Sequence, residues 1–273
     1  MDVPDIRLIL TDIDETILPR GASRVSDRTV RAIHAALDAG LRVGPASGRG
    51  IDWIPPFFGG DEQCCSTCLA TNGLQVYLDG RLAHEEHQPH DALEQAAAIV
   101  SEVPRAGMLC FDGGTPLLVA GTREDLAVPF PSYAKTCKEA DGVPAFPVVK
   151  ANVFINGDEA QTRQLLARLN EGVDALDFDY ARVGFSNVMP HGYNKGSGVL
   201  MLCELLGIDT RQVVVFGDAG NDLPMFAAVE NSVAVANAQP EAAKAARWHI
   251  GSCQDDAVAS AIEALAAGEW PFR

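Results

Sequence analysis

Val213-Val214-Val215-Phe216-Gly217-Asp218-Ala219-Gly220-Asn221-Asp222 is the stretch on which the fold turns. Four consecutive apolar residues, three of them β-branched, predict a strand buried on both faces, which belongs inside a parallel sheet. The glycines of the loop that follows permit a tight backbone. The loop carries two carboxylates and an amide into a short helix predicted over Leu223–Val229. Such oxygen donors suit a hard cation. In open parallel sheets, ligands bind beyond the carboxyl ends of the strands, where this loop falls.

The beginning of the chain has the same rhythm. Ile6 to Thr11 is an apolar run that ends in Asp12-Ile13-Asp14-Glu15-Thr16. Asp12 and Asp14 are two residues apart, so both carboxylates can face one side of the strand's end. Two unpaired acids repel there, and a cation is the natural compensation. Acids at strand ends also start turns and cap helices, so this pair alone leaves function open. Ser26 reads as an N-cap, Val30, Ile33 and Leu37 recur at helical spacing, and Gly40 marks the stop. Leu41–Ala46 reads as a second strand, ending in Ser47-Gly48-Arg49, a hydroxyl, a bare backbone and a guanidinium that can cradle an anion. By itself that tripeptide is equally an ordinary turn. Cys68–Thr71 reads as a third strand, and Leu74–Leu82 alternates around Asp79-Gly80 as a hairpin.

Lys195–Leu206 is an apolar-faced helix stopped by Gly207. Lys195 at its start opposes the helix dipole unless an anion is near. Ser232–Ala236 reads as another strand and Asp255–Ala267 as a closing helix. Strands alternating with helices through short connections predict a parallel sheet with right-handed crossovers. Both ends of the chain, 1–85 and 188–273, are therefore assigned to one sheet domain.

Residues 86–187 differ. Asp91 with Glu94 reads as a capping box, a second helix is expected from Asp158 to about Leu169, and Phe178–Phe185 alternates. This predicts an inserted α+β domain, hinged near Glu85 and Met189–Asn194, where Pro190 and Gly192 supply hinge chemistry. It is expected to lie over the strand ends and to control specificity. Asn187 and His191, on the return linker, are the candidate substrate-binding residues, although solvated linker or turn chemistry is the slightly favoured reading of each.

The 273 residues suffice for a large domain or two moderate ones, with 47% hydrophobic and 21% charged residues. The net charge of −16 argues against nucleic acid or anionic membranes as partners. It also repels phosphate esters, so local cations must override it if the substrate is one. No targeting or membrane segment is read, which predicts a cytoplasmic protein. The seven cysteines follow no scaffold rhythm and fit a reducing compartment. Cys64, Cys65 and Cys68 cluster, but a zinc knuckle needs a second ligand pair, and buried small side chains are the favoured reading.

Taken in order, these segments resemble the haloacid dehalogenase superfamily, in its Cof-like branch with a large cap inserted after the third strand (type IIB). The family signature is Asp-x-Asp-x-Thr, a Ser or Thr after strand two, a Lys, and Gly-Asp-x-x-x-Asp. Here these are Asp12-Ile-Asp14-Glu-Thr16, Ser47-Gly-Arg49, Lys195-Gly196 and Gly217-Asp218-Ala-Gly-Asn221-Asp222. Thr71-Asn72-Gly73 resembles the turn before the cap. Glu15 departs from the branch, where Gly is usual; the side chain either points to solvent, the favoured reading, or restricts anionic substrates.

The resemblance implies an α/β fold with a Rossmann-like parallel-sheet core and an inserted α+β cap. It further implies a Mg²⁺-dependent phosphatase acting on a small phosphorylated metabolite, sugar phosphates first. Asp12 is the implied nucleophile and Asp14 the acid and base. Ser47 and Lys195 hold the phosphoryl group, with Gly48, Arg49 and Asn221 in the substrate site. Asp12, Asp14 and Asp218 are implied around the metal, with Asp222 and Asn221 supporting it and Lys195. The alternatives are a phosphoryl transferase or mutase on the same fold, or a non-enzymatic binding module. A monomer and a homodimer are both compatible with the sequence.

Overall fold

The computed structural model describes residues 4–180 and 182–272, and divides the chain into two compact units. The first comprises Met1–Glu85 with Asn194–Arg273, the second Glu86–Tyr193.

The first unit is built on a five-stranded parallel sheet. Its strands run side by side in the order Trp248–His249, Asn231–Ala234, Val213–Gly217, Leu8–Thr11 and Arg42–Pro45. Side chains alternate across this sheet as strand geometry requires. Ile9, Val43, Val214, Phe216 and Val233 join the core beneath helices Asp27–Asp38 and Ala257–Ala266. Leu8, Leu10, Val213, Val215 and Ala234 join the opposite core, with Val199 and Leu202 of helix Lys195–Leu206 and with Met225 and Phe226. Covering both faces makes the strands continuously apolar, which is why the valine run was readable as interior sheet.

Register places the functional ends together. Leu8 pairs with Val213 and Thr11 with Phe216, so the chain leaves the two central strands at neighbouring points, through Asp12 and Asp218. Ser26 caps the first helix by accepting from Thr29 N, and Gly207 ends Lys195–Leu206 in the left-handed conformation, both as expected. Cys68–Ala70 is bridged in parallel through Ala46 and Leu69, then forms an antiparallel sheet with Gln75–Leu78 and Arg81–Glu85.

The second unit is α+β. Its six strands run in the order Leu176–Phe178, Phe185–Pro190, Ala151–Ile155, Ala106–Asp112, Thr115–Ala120 and Lys138–Glu139. Helices His90–Ser101 and Glu159–Gly172 bury Leu93, Val100, Leu165 and Leu169 against this sheet. Two sequence readings need correction. Asp91 and Glu94 form no capping box: the N-cap is Pro89, with no side-chain cap, and Asp91 lies within the first turn. Acids are favourable anywhere in a first turn, so composition did not mark the boundary. Met189 and Pro190, read as linker, belong to the strand Phe185–Pro190, which pairs on both sides, and the division between units falls at Tyr193/Asn194.

Candidate active site

The strand Leu8–Thr11 delivers Asp12, whose N–H donates to Phe216 O at 2.9 Å across to the neighbouring strand. The chain then turns tightly, with the N–H groups of Thr16, Ile17 and Leu18 all directed at Ile13 O. This turn folds Thr16 back so that its hydroxyl donates to Asp218 Oδ1 at 2.8 Å. Asp218 stands at the end of Val213–Gly217, and the Gly220–Asp222 turn brings Asp222 back beneath it. Asp222 Oδ2 accepts from Asp218 N at 2.9 Å and Ala219 N at 3.0 Å. Gly217 makes this possible: a Cβ there would lie 2.5 Å from Asp222 Oδ2.

Lys195 occupies the first position of its helix, behind the Asn194 cap, and is fully buried. Its ammonium donates to Asp12 Oδ1 at 2.6 Å and to Asp222 Oδ1 at 2.7 Å. A buried lysine at a helix start is doubly unfavourable, by desolvation and by the dipole, and the two carboxylates offset both. Burial alone would lower its pKa, but Asp12 and Asp222 outweigh burial and hold the ammonium above its usual value. The helix reaches this position through a close glycine approach, since a Cβ on Gly198 would sit 2.9 Å from Gly73 Cα.

Asp12, Asp218 and Asp222 bring carboxylate oxygens within 4.8 Å of one another, all buried. Three acids against one lysine leave excess negative charge out of water. Burial, together with Asp222 and Asp218, pushes Asp12 up to about 8 despite Lys195. Burial pushes Asp218 up to about 6, with the Thr16 hydroxyl opposing and Asp222 adding to it. A cation placed among these carboxylates would compensate that charge. The donors fit a hard one: among the described residues no hydrogen bond occupies Asp12 Oδ2 or Asp218 Oδ2. Asp222, expected to support the metal and Lys195, has both of its oxygens engaged by protein donors. Lys195 takes one of its oxygens and two backbone N–H groups take the other, so Asp222 orients Lys195 and the loop.

Asp14 is half exposed and held by the Arg49 fork, Nε to Oδ2 at 2.9 Å and Nη2 to Oδ1 at 2.7 Å. Arg49 also lies over the Phe57 ring at 4.6 Å. Ser47 is buried, and its hydroxyl oxygen accepts from Arg49 N at 3.2 Å. Gly48 faces Asn72, whose side chain a Cβ would meet at 3.1 Å. Asn221 lies partly buried in the Gly220–Asp222 turn. Asn187 and His191 belong to the other unit and are engaged within it. Asn187 is bonded to Asp179 and Asn152, and the half-buried strand partner explains its place as well as any ligand would. His191 Nδ1 lies 2.9 Å from Asp177 Oδ1.

Glu15 adopts φ 59°, in the left-handed region where Gly is easiest, and its side chain turns to the exposed Arg20 at 2.8 Å. It stands outside the acid cluster. Two site residues escaped the site reading of the sequence. Thr16 was visible as the last residue of its motif, but its bond to Asp218 spans 202 positions. Asn72 lies between Thr71 and Gly73, all three at positive φ, and its buried Oδ1 has no hydrogen-bond partner. The Asn-Gly dipeptide was the available signal.

The family profile of haloacid dehalogenase-like hydrolases matches residues 9–262, and the chain belongs to that family. A phosphoglycolate phosphatase of Pyrobaculum aerophilum is 27% identical over 266 residues, covering 96% of each sequence. Among solved structures, a Streptococcus mutans protein superposes with TM-score 0.83 at 20% identity, over 96% of this chain and 99% of its own. A haloacid dehalogenase subclass IIB sugar phosphatase superposes with TM-score 0.78 at 18% identity, over 94% and 98%. These two likenesses carry the fold: a parallel-sheet hydrolase core with an inserted sheet unit. Enzymes of this family generally use a divalent metal. No helix among the described residues is long and apolar enough to cross a membrane.

Proposed function

We propose that this phosphoric monoester hydrolase is Mg²⁺-dependent, acts on small phosphorylated metabolites, and works through an aspartyl phosphate on Asp12. The observation that carries the reading is the buried cluster of Asp12, Asp218 and Asp222 around Lys195. Nothing in a structural role calls for three acids and a lysine out of water at adjacent strand ends.

Asp12 and Asp218 carboxylates would hold Mg²⁺, together with the Asp14 backbone carbonyl that the family signature implies. The ion, when bound, neutralises charge on the phosphoryl oxygens. Asp12 attacks phosphorus, forming the Asp12 O–P bond as the ester oxygen leaves with the electron pair of the broken P–O bond. Asp14 gives that oxygen a proton, then takes one from the water that attacks the phosphoenzyme, and inorganic phosphate departs with Asp12 restored. In the state described, Arg49 holds both Asp14 oxygens, so proton transfer requires Arg49 to release one of them. Lys195 and the Ser47 hydroxyl stabilise the transferring phosphoryl group. Asn221 is assigned to the same substrate site, in the turn that carries Asp222.

Leaving-group recognition is assigned to the inserted unit, because every signature residue belongs to the other unit and serves phosphate or metal. Sugar phosphates are the leading substrate class, supported by the fold shared with a subclass IIB sugar phosphatase. Phosphoglycolate follows, by likeness to the Pyrobaculum enzyme. The test is phosphate release from an aryl phosphate, hexose phosphates and phosphoglycolate with Mg²⁺, combined with rapid-quench capture of labelled phosphate on the protein. Label is expected on wild type and absent from Asp12→Asn. Absence of turnover across the panel, with no label captured, would sink the proposal.

A further inference from the structure

All seven cysteines are free and buried. One of the three between residues 64 and 68 stands beside ionisable side chains from other segments. His34 sits on the helix Asp27–Asp38, and Asp61 caps the short turn Glu62–Cys65. His34 Nε2 lies 2.7 Å from Asp61 Oδ2. Asp61 Oδ1 accepts from Gln63 N at 3.1 Å, which fixes the carboxylate and leaves Oδ2 directed at the imidazole. Cys64 Sγ completes the group: one donor atom from each of the three residues lies within 4.8 Å of the others. The sulfur is fully buried, while the His34 and Asp61 side chains are 35% and 31% exposed. The group is therefore closed on the protein side and open to solvent on the other.

We propose that His34, Asp61 and Cys64 form a binding site for a thiophilic divalent cation, with Zn²⁺ as its reference ion, distinct from the acid cluster at the strand ends. Nitrogen, oxygen and sulfur donors together match zinc and disfavour magnesium, which demands an octahedron of oxygens. Donors about 2.0–2.3 Å from a tetrahedral zinc lie roughly 3.3–3.7 Å apart. Nε2 and Oδ2 stand 2.7 Å apart and all three donor atoms lie within 4.8 Å of one another, so an ion would enter by opening the His34–Asp61 bond while the donors re-space toward that arrangement. Three protein ligands leave a fourth position for water on the exposed side. The proton count balances simply. Nε2 donates to Asp61 in the metal-free state and gives up that proton on ligation, as the neutral ring shifts to its Nδ1–H tautomer, and the Cys64 thiol proton passes to solvent as the S–metal bond forms. A knuckle of neighbouring cysteines lacks its second ligand pair here. The missing ligands come instead from a helix and from a turn cap, joining the helix to the turn that leads into Cys68–Ala70.

The experiment uses the full chain in saturating Mg²⁺, titrated with Co²⁺ and then with competing Zn²⁺. Thiolate ligation gives a near-ultraviolet sulfur-to-cobalt charge-transfer band, which an all-oxygen site cannot produce. Wild type should develop this band with one equivalent of Co²⁺ and lose it to Zn²⁺. His34→Gln and Cys64→Ser should each weaken Zn²⁺ binding by on the order of a hundredfold or more. Asp222→Asn should leave the band intact. Zn²⁺ should raise the thermal midpoint of wild type but not of His34→Gln, whose Mg²⁺-dependent turnover should be that of wild type. Cys64→Ser places a hydroxyl in a buried position, so the half-exposed His34→Gln decides if the serine variant misfolds. Absence of the band from folded wild type at millimolar Co²⁺, or unchanged affinity in His34→Gln, would overturn the site.

Discussion

Asp12→Asn should make the metal-free protein more stable in mild alkali while abolishing turnover. Asp12 ionises at about 8 in the fold against 3.8 ordinarily, because it is buried beside two further acids. The sign is opposite to that of a salt-bridged surface aspartate. Between about pH 4 and pH 8 the native protein retains a proton that the unfolded chain has lost, so stability falls as pH rises. At 1.36 kcal/mol per pKa unit, keeping Asp12 in the fold costs on the order of 5 kcal/mol at pH 8 and about 1.5 kcal/mol at pH 5. Asparagine removes this pH-dependent term. Its amide oxygen can accept from Lys195 as the protonated Asp12 carboxyl does, one neutral acceptor replacing another. The variant should therefore exceed wild type by about 1.5 kcal/mol near pH 5 and by on the order of 5 kcal/mol at pH 8, the latter roughly 10 °C in melting temperature. The assay is thermal unfolding of both proteins in EDTA across this range, with phosphate release measured in parallel. Saturating Mg²⁺ should close the gap, since it stabilises ionised Asp12 in wild type. A difference between the two proteins that stays flat with pH, or a variant less stable at pH 8, would refute the electrostatic account of the site.

Turnover should vanish in EDTA and return with Mg²⁺, and Ca²⁺ should inhibit through its looser coordination; full activity in metal-free buffer would remove the metal from the proposal. Lys195→Met should leave Asp12 and Asp222 buried without their shared cation and lower stability by about 3–5 kcal/mol, read from the urea midpoint at pH 8. An unshifted midpoint there would contradict the burial of that pair. Gly217→Ala should force Asp222 away from Lys195, costing about 1–3 kcal/mol, and lower kcat at least tenfold with an aryl phosphate; wild-type kinetics would show that the 2.5 Å approach tolerates a methyl group. Asn187→Ala and His191→Ala should reorder the preferred substrates while leaving aryl phosphate hydrolysis nearly unchanged, and an unaltered ranking would take both residues out of recognition.

What the sequence discloses follows from where each interaction's partners lie. The alternation of Leu8, Ile9 and Leu10 and the unbroken valines at 213–215 state locally that these strands are covered on both faces. Acids immediately after such strands must emerge at their carboxyl ends, so Asp12 and Asp218 could be placed before any coordinates. The division of labour within the site is not local. The sequence places Asp222 in a supporting role without naming its partners, which are Lys195, Asp218 N and Ala219 N. Thr16 binding Asp218 and Arg49 clamping Asp14 are likewise contacts between distant segments, set by the sheet register. The helix boundary at Pro89 escaped for a different reason: first-turn acids mark a helix start only to within a turn.

The protein's charge bears on how such a site takes substrate at all. With a formal charge of −16, the surface field disfavours a phosphate dianion. Inside the site three acids face one lysine, and Arg49 is already paired with Asp14. A dianion entering without a cation would raise a charge imbalance that burial makes costly. A divalent ion held by Asp12 and Asp218, as proposed, would change that balance, lowering the carboxylates' pKa and leaving Lys195 and the Ser47 hydroxyl to meet the phosphoryl oxygens. Metal and substrate binding should therefore be coupled, each tightening the other by the same factor. The coupling is measurable as a Mg²⁺ affinity that rises when a non-hydrolysable phosphate analogue is present. Equal Mg²⁺ affinities with and without the analogue would mean that the phosphate is neutralised by other groups, and that the acid cluster was built for something else.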